Sequence, residues 1–317
     1  MGGIDLQTLS RVVIVTGAST GIGEATAQRF AREGWSVVLA ARSEEKLTQL
    51  QATIEAEGGR ALAVRADVTH REDVTRIVEQ TLTAFGRIDV LVNNAGVGIS
   101  GTLDSLDLDV FEYALKLNVL APIAMLQAVI PTMKSQGGGV IVNVSSMIEA
   151  AAVPYMAGYG ASKVALGYLS DAAAIELDEY DIAVVRVLPG ITETNFNANL
   201  LKTGEATSLE TLFERAGLLK SVSPERVADA IWDAVLARRR ITYVTMEDGL
   251  LAQAAGANPG GTNRFLRFAV RRYAPRRGTA SGVSIKEDIT RLGWGTGLLL
   301  AGAAIGAGMW MVKRIKR

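Results

Sequence analysis

Tyr159 and Lys163 stand four residues apart in the run Y-G-A-S-K. The stretch reads as helix, so both side chains leave one face about a turn apart. A free phenol, with a pKa of about 10, is a poor proton-transfer group at neutral pH. An ammonium within a few ångströms favours the phenolate and lowers that value. The pair therefore has the make-up of a general acid/base tuned by a fixed positive charge. The spacing also arises by chance in many helices, and a tyrosine packed beside a surface lysine is the bland alternative. Thirteen residues before Tyr159, Ser145-Ser146 follows the apolar run Gly139 to Val144. A strand that turns polar at its C-terminal end puts hydroxyls in a cleft.

The second chemical signal is a glycine turn. Residues 11–16, R-V-V-I-V-T, read as a buried strand that runs into Gly17, Ala18, Ser19, Thr20, Gly21, Ile22 and Gly23, then a helix to about Arg32. Glycines let backbone approach a pyrophosphate, and the helix start offers free N–H groups and a positive dipole end. A second strand, Ser36 to Ala41, ends without the acid that usually grips a ribose 2′-hydroxyl, and Arg42 follows. A guanidinium in place of a carboxylate suits a 2′-phosphate, which favours NADP over NAD; Arg42 as an ordinary helix-start residue is the alternative.

Strands and amphipathic helices then alternate. Leu47, Leu50 and Ile54 have helical spacing; Ala61 to Ala66 reads as a strand ending at Asp67-Val68; Val74, Ile77, Val78, Leu82 and Phe85 mark the next helix. Thr69-His70-Arg71-Glu72 resembles a capping box and makes His70 a solvated first-turn residue. Ile88 to Val92 is the fourth strand, closing in Asn93-Asn94-Ala95-Gly96. A long apolar helix over 109–135 is interrupted by Asn118, read either as a core amide or as one that holds an ordered water. A sixth strand, Ile182 to Leu188, closes with Pro189-Gly190 and Thr194. This order predicts an α/β fold, a doubly wound, Rossmann-like parallel sheet of about seven strands with helices on both faces and ligands beyond the strands' C-terminal ends.

Composition excludes much else. The 317 residues hold no cysteine and one histidine, ruling out disulfides, thiolate metal sites and histidine-based triads. Lys+Arg and Asp+Glu balance at 33 each, so no global field recruits nucleic acid. No metal site and no nucleic-acid partner are expected.

Together, T-G-A-S-T-G-I-G, N-N-A-G, Asn118, V-S-S, Y-G-A-S-K and P-G-I-T-E-T have the order and spacing of the short-chain dehydrogenase/reductase family, classical type, which residues 10–245 resemble. The resemblance implies Ser146 as substrate-orienting serine, Tyr159 as acid/base, Lys163 as its modulator and ribose ligand, and Asn118 as holder of a water linking Lys163 to solvent. It implies Gly17, Ser19, Gly21, Ile22 and Gly23 around the pyrophosphate, Arg42 at the adenosine phosphate, and Asp67 and Val68 at adenine. Asn94, Ala95 and Gly96 would lie under the cofactor, with Pro189, Gly190 and Thr194 at the nicotinamide. A homodimer or homotetramer is expected. One departure is Glu149, where family members commonly carry glycine three positions after the serine. It is read as a solvated loop side chain or, less readily, as a carboxylate at the substrate mouth.

Val97, Ile99, Met147, Ile148, Val153, Met156, Phe196, Leu200 and Leu201 would wall the substrate, with Ile191 to Leu219 long enough for a lid. Their apolar character suggests a hydrophobic alcohol or ketone, although core packing would look the same. The expected organisation is a catalytic domain over 1–250, a linker and basic amphipathic segment over 251–290, and a candidate transmembrane helix over 291–317. The linker is centred on Gly256–Thr262, and Arg264–Arg277 mixes arginines with Phe265, Leu266, Phe268, Val270 and Tyr273, suiting an anionic membrane surface. Leu292 to Val312 lacks any charged residue and would span roughly 30 Å as a helix. Trp294 and Trp310 sit near its ends, and Gly302 and Gly306 have the spacing of close helix pairing. Packing of this helix on the enzyme or a dimer partner is the alternative. NADP chemistry puts the catalytic domain in the cytoplasm, and Lys313, Arg314, Lys316 and Arg317 prefer that side too, so a spanning anchor and an interfacial tail both stay open. The expectation is a membrane-associated, NADP-dependent oxidoreductase acting on an apolar carbonyl or alcohol. A 3-oxoacyl reductase of lipid metabolism and a non-catalytic nucleotide-sensing membrane scaffold are the alternatives.

Overall fold

β-branched runs bounded by glycine turns make the sheet. In the computed structural model, which describes residues 11–194, 196, 200–203 and 221–273, the strands are β1 Val12–Thr16, β2 Ser36–Ala41, β3 Arg60–Arg65, β4 Val90–Asn93, β5 Ile99–Ser100, β6 Gly139–Val144, β7 Ile182–Leu188, β8 Leu201–Lys202 and β9 Ile241–Tyr243. The helices are α1 Gly21–Arg32, α2 Glu44–Ala56, α3 Arg71–Phe85, α4 Leu108–Leu115, α5 Ala121–Ser135, α6 Ala157–Glu176, α7 Pro224–Ala237, α8 Met246–Ala257 and α9 Pro259–Tyr273. Seven strands form one parallel sheet in the order β3-β2-β1-β4-β6-β7-β9. The chain winds outward from β1 to β3 and then returns to start β4 on the other side of β1. That reversal opens a crevice at the C-terminal ends of β1 and β4.

Alternate residues of each strand feed opposite cores. Val13 and Val15 pack with α1, α2 and α7, where Phe30, Trp35 and Trp232 meet edge to face at 5.0–5.8 Å between centroids. Val12 and Ile14 pack with α3 and α5 through Ile77, Met125, Val129 and Met133. Both faces of the sheet are covered, as near-continuous apolar strands require.

Two expectations change. The capping box at Thr69 does not form: His70 occupies the N-cap, and the Thr69 hydroxyl and N–H both turn back to Asp67 Oδ1, at 2.7 and 2.9 Å. The expected helix over 109–135 does run on through Asn118, where Lys116–Leu120 is a π-turn that joins α4 to α5. Gly256–Thr262 is not an open linker, because α8 runs to Ala257 and α9 starts at Pro259. Asn258 Oδ1 accepts the Gly261 N–H at 2.9 Å. An asparagine cap followed by proline in the first turn starts a helix, which outweighs the two glycines.

α8 also runs across residue 250, the expected domain boundary, with Asp248, Gly249 and Ala252 buried. Among the described residues, one helical stretch, Leu108–Ser135, is long and apolar enough to cross a membrane, but Met125, Val129 and Met133 sit in the core. The expected membrane helix, with Trp294, Gly302, Gly306 and Trp310, lies outside the described residues, as do most of the expected lid and the arginines beyond Tyr273.

Candidate active site

The glycine turn is built by exclusion of side chains. Gly17 and Gly21 have φ of +66° and +58°, which L side chains rarely adopt. A Cβ on Gly17 would sit 2.9 Å from the Ala95 Cα and the Asn94 Nδ2, and one on Gly23 would collide with the Gly17 carbonyl. Asn94 Nδ2 fixes that approach by donating to the Thr16 and Gly17 carbonyls at 3.0 and 3.3 Å. The turn and the Asn94–Gly96 loop are thereby pressed together at the topological switch. The N-cap Thr20 makes no side-chain capping bond. The first-turn N–H groups of α1 are left to an outside acceptor, the donor set a pyrophosphate needs. Ser19 and Ile22 are half-buried in this turn.

At the neighbouring strand ends, Arg42 is exposed and reaches the Tyr113 hydroxyl at 3.3 Å. Asp67 is committed to its own turn. Burial pushes its carboxyl up, but hydrogen bonds from Thr69 and the charges of His70 and Arg42 bring it below the ordinary value. Val68 is buried in the core under β1. Thr194 comes back from the loop after β7 to the start of α1, its Cγ2 3.0 Å from the place a Gly21 Cβ would take. Pro189 accepts the Met147 N–H at 2.9 Å, and Gly190 lies against the Asp248 carboxylate.

Tyr159 and Lys163 leave the same face of α6, with the Lys163 Nζ 5.8 Å from the Tyr159 ring centroid. Both are buried, and Phe196 packs on the Tyr159 ring at 5.5 Å. Nζ donates to the Val144 carbonyl at 2.9 Å, at the end of β6. Burial pushes the ammonium down to about 8 from 10.5, against a rise from the Glu149 carboxylate. Ser146 is the next residue but one after Val144; its Oγ accepts the Ile148 N–H at 3.3 Å. The hydroxyl proton of Ser146 is not used by that contact.

Asn118 makes the contacts of a core amide, one of the two readings its sequence allowed. Its Nδ2 donates to the Val97 carbonyl (2.8 Å) and to Ser162 Oγ (3.0 Å), and its Oδ1 accepts the Val97 N–H (2.8 Å). Both amide protons are spent, so the side chain has one acceptor site left for a water. The amide instead ties the loop after β4 to α6, because Ser162 Oγ donates on to the Tyr159 carbonyl at 2.7 Å. Gly96 is where these parts converge: a Cβ there would be 3.1 Å from Asn118 Oδ1 and 3.6 Å from Lys163 Nζ.

Glu149 is not a solvated loop side chain, nor does it stand free at a substrate mouth. It is about 10% exposed, accepts the Ser145 hydroxyl and pairs with Arg186 of β7. Arg186 also holds Asp171 of α6, at 2.9 and 3.0 Å. Gly167 makes the room, since a Cβ there would be 2.6 Å from Glu149 Oε2 and 2.7 Å from Arg186 Nη1. Sequence reasoning missed Arg186, Asp171 and Gly167; the available signal was an arginine inside the otherwise apolar run I-A-V-V-R-V-L.

Part of the expected substrate wall assembles. Ile99 pairs with Leu201 in a two-stranded parallel ribbon, β5 with β8, which ties the segment after β7 to the loop after β4. Phe196 and Leu200 close over Gly98, leaving no room for a Cβ. Ile99 itself is fully buried and packs toward Gly158, as a core residue does. Tyr155, in the Ala151–Met156 loop, has a φ of +64°, uncommon for a bulky residue and of the kind that clusters near active sites.

The model of the short chain dehydrogenase family matches residues 11–205. A 3beta-hydroxysteroid dehydrogenase 1 from Eggerthella lenta is 34% identical over 237 residues, covering 74% of this chain and 89% of that protein. A short chain dehydrogenase/reductase from Burkholderia phymatum, solved in complex with NAD, superposes with a TM-score of 0.72 at 25% identity, over 79% of this chain and 94% of the other. An alcohol dehydrogenase from Thermococcus sibiricus, complexed with 5-hydroxy-NADP, gives a TM-score of 0.64 at 28% identity, over 74% and 94%. With the motif order, the sheet topology and the family match agreeing over the same residues, this chain belongs to the short-chain dehydrogenase/reductase family.

Proposed function

We propose that the chain is an NADP-preferring oxidoreductase that moves a hydride between the nicotinamide and the carbonyl or secondary alcohol of an apolar substrate. The observation that carries this reading is the buried Tyr159–Lys163 pair, set at the C-terminal end of β6 one short turn from Ser146. The nicotinamide supplies or accepts the hydride when bound. In the reducing direction the Tyr159 hydroxyl gives its proton to the carbonyl oxygen as negative charge develops there. The Ser146 hydroxyl hydrogen-bonds the same oxygen and stabilises that charge. Lys163, held at the Val144 carbonyl, is the fixed cation beside the phenol. Asn118 acts through Ser162 to hold the backbone of Tyr159.

Gly17, Ser19, Gly21, Ile22 and Gly23 with the α1 N-terminus would hold the pyrophosphate, and Asn94, Ala95 and Gly96 would floor the site. Pro189, Gly190 and Thr194 would border the nicotinamide. NADP over NAD rests on Arg42, exposed at the end of β2 with Ala41 where an acid would stand. Asp67 and Val68 border the adenine side through the fold of their turn rather than through a free carboxylate.

An apolar substrate is favoured by the Phe196, Leu200 and Gly98 packing beside Tyr159. It is favoured too by the hydroxysteroid named for the Eggerthella relative. Membrane association is our reading of the uncharged run Leu292 to Val312 and the basic face that begins on α9 with the exposed Arg264 and Arg267. A homodimer or homotetramer completes the proposal.

The test is NADPH oxidation by purified protein against a graded panel of ketones and aldehydes, wild type beside Tyr159→Phe. Loss of the proton donor should lower turnover by about 10²-fold or more, while NADPH affinity stays within a few-fold. Equal turnover in the two proteins removes the role given to Tyr159.

A further inference from the structure

Among the described residues, one buried charge cluster lies outside the expected machinery, directly behind it. Glu149 sits in the short helical turn Met147–Ala150 that follows Ser146, Arg186 on β7, and Asp171 on α6, two turns beyond Lys163. Arg186 joins the three by donating to both Glu149 and Asp171, and Ser145 donates to Glu149. The cluster therefore spans three elements that carry the site, namely the serine turn, the Tyr159–Lys163 helix and the strand leading to Pro189-Gly190. Main-chain bonds from Ser145 to Val187 (2.8 Å) and from Met147 to Pro189 (2.9 Å) hold the same turn to β7.

A buried ion pair is a costly way to join three elements. Apolar side chains of similar volume would do so as well or better, because both charges must be desolvated. The pair is not fully satisfied by the protein either, since the Arg186 Nε finds no hydrogen-bond partner among the described residues. Stability alone is thus a weak reason for it. Its placement suggests another: Glu149 bonds Ser145, the residue next to the Val144 carbonyl that holds the Lys163 Nζ, and lies against Gly167, one turn beyond Lys163 on α6, where its charge favours the ammonium.

We propose that Glu149, clamped by Arg186, is a positioning residue that fixes the Ser145–Ser146 turn against α6 and supplies the counter-charge for the Lys163 ammonium. This rests on the reading of Tyr159 and Lys163 given above. The groups that face Glu149 are Ser145 just past β6, Arg186 from β7, and Lys163 from α6, with Asp171 behind Arg186 and Arg240 behind Asp171. From α8, which packs on the same turn, Asp248 is directed at Gly190. Burial raises the Glu149 carboxyl above its ordinary range, against lowering by Ser145, Arg186 and Lys163. Acidification therefore removes this counter-charge sooner than it would at an exposed glutamate.

The experiment follows the ε-carbon NMR signal of Lys163 in the full chain labelled with ¹³C-lysine, the signal being assigned by its loss in Lys163→Met. In Glu149→Gln, which keeps an oxygen for Ser145, the Lys163 midpoint should fall by about one pH unit. Should that variant not fold, Glu149→Gly combined with Arg186→Ala removes both charges and leaves neither buried alone. A smaller fall in the same direction is expected there, because the Arg186 cation that remains in the single variant is gone as well. The alkaline limb of turnover should move down in step with the midpoint. An unchanged midpoint, or one that falls in the single variant and returns in the double, overturns the proposal and leaves the cluster a packing device. Turnover that survives Tyr159→Phe sinks the functional reading instead, whatever Lys163 does.

Discussion

Replacing Lys163 by methionine should make the folded protein more stable at neutral pH while ending its activity. Lys163 is buried, and that burial pushes its ammonium down from 10.5 to about 8. At about 1.4 kcal/mol per pH unit, that displacement corresponds to roughly 3 kcal/mol of destabilisation carried by the charged form. Methionine fills a similar volume but leaves the Val144 carbonyl without the donor now at 2.9 Å. An unsatisfied buried acceptor costs about 1–3 kcal/mol. The net expectation is a gain of about 1 kcal/mol near pH 7, read as a rise of a few degrees in Tm.

The pH dependence carries the sign. Between about 8 and 10.5 the unfolded chain binds more protons at this lysine than the folded one, so wild-type stability rises with pH through that window. The penalty is fully present below the window and absent above it. Lys163→Met should be the more stable protein near pH 7 and the less stable one above about pH 10.5. Urea unfolding of both proteins without added nucleotide, at those two pH values, reads the crossing. A methionine variant that is weaker by the same amount at both would refute the claim that Lys163 is held charged against its surroundings.

Two further outcomes bear on the finer parts of the functional reading. Arg42→Ala should weaken NADPH binding by roughly tenfold or more while changing NADH little, since only the former loses a charge-assisted contact; equal losses discard the NADP preference. Deleting residues 291–317 should move the protein from the membrane pellet to the supernatant; a full chain that already stays soluble without detergent refutes anchoring by this segment.

Much of the site was legible because its signals are local. A strand followed by Gly17–Gly23 and a helix, the N-N-A-G run closing β4, and the four-residue step from Tyr159 to Lys163 each encode their geometry within a few residues. The strand limits at Ser36–Ala41 and Ile182–Leu188 were read to the residue because apolar β-branched runs end sharply at turn chemistry. What misled was also local. Thr69 had the pattern of a cap but a stronger acceptor, Asp67, two residues away. Gly260 and Gly261 suggested an open linker, yet Asn258-Pro259 starts a helix there.

The sequence by itself determined the parallel sheet, the glycine turn and the face shared by Tyr159 and Lys163, because spacing and period depend on near neighbours alone. Only the tertiary structure decided the surroundings of those groups. Glu149 reads as a loop acid until β7 brings Arg186 beside it and the missing Cβ of Gly167 leaves both of them space. Asn118 reads equally as a core amide or a water-holding one until the loop after β4 offers it the Val97 backbone. The desolvation of Lys163 comes from the same assembly: burial and charge depend on residues tens of positions away, and no local pattern records which of them will meet.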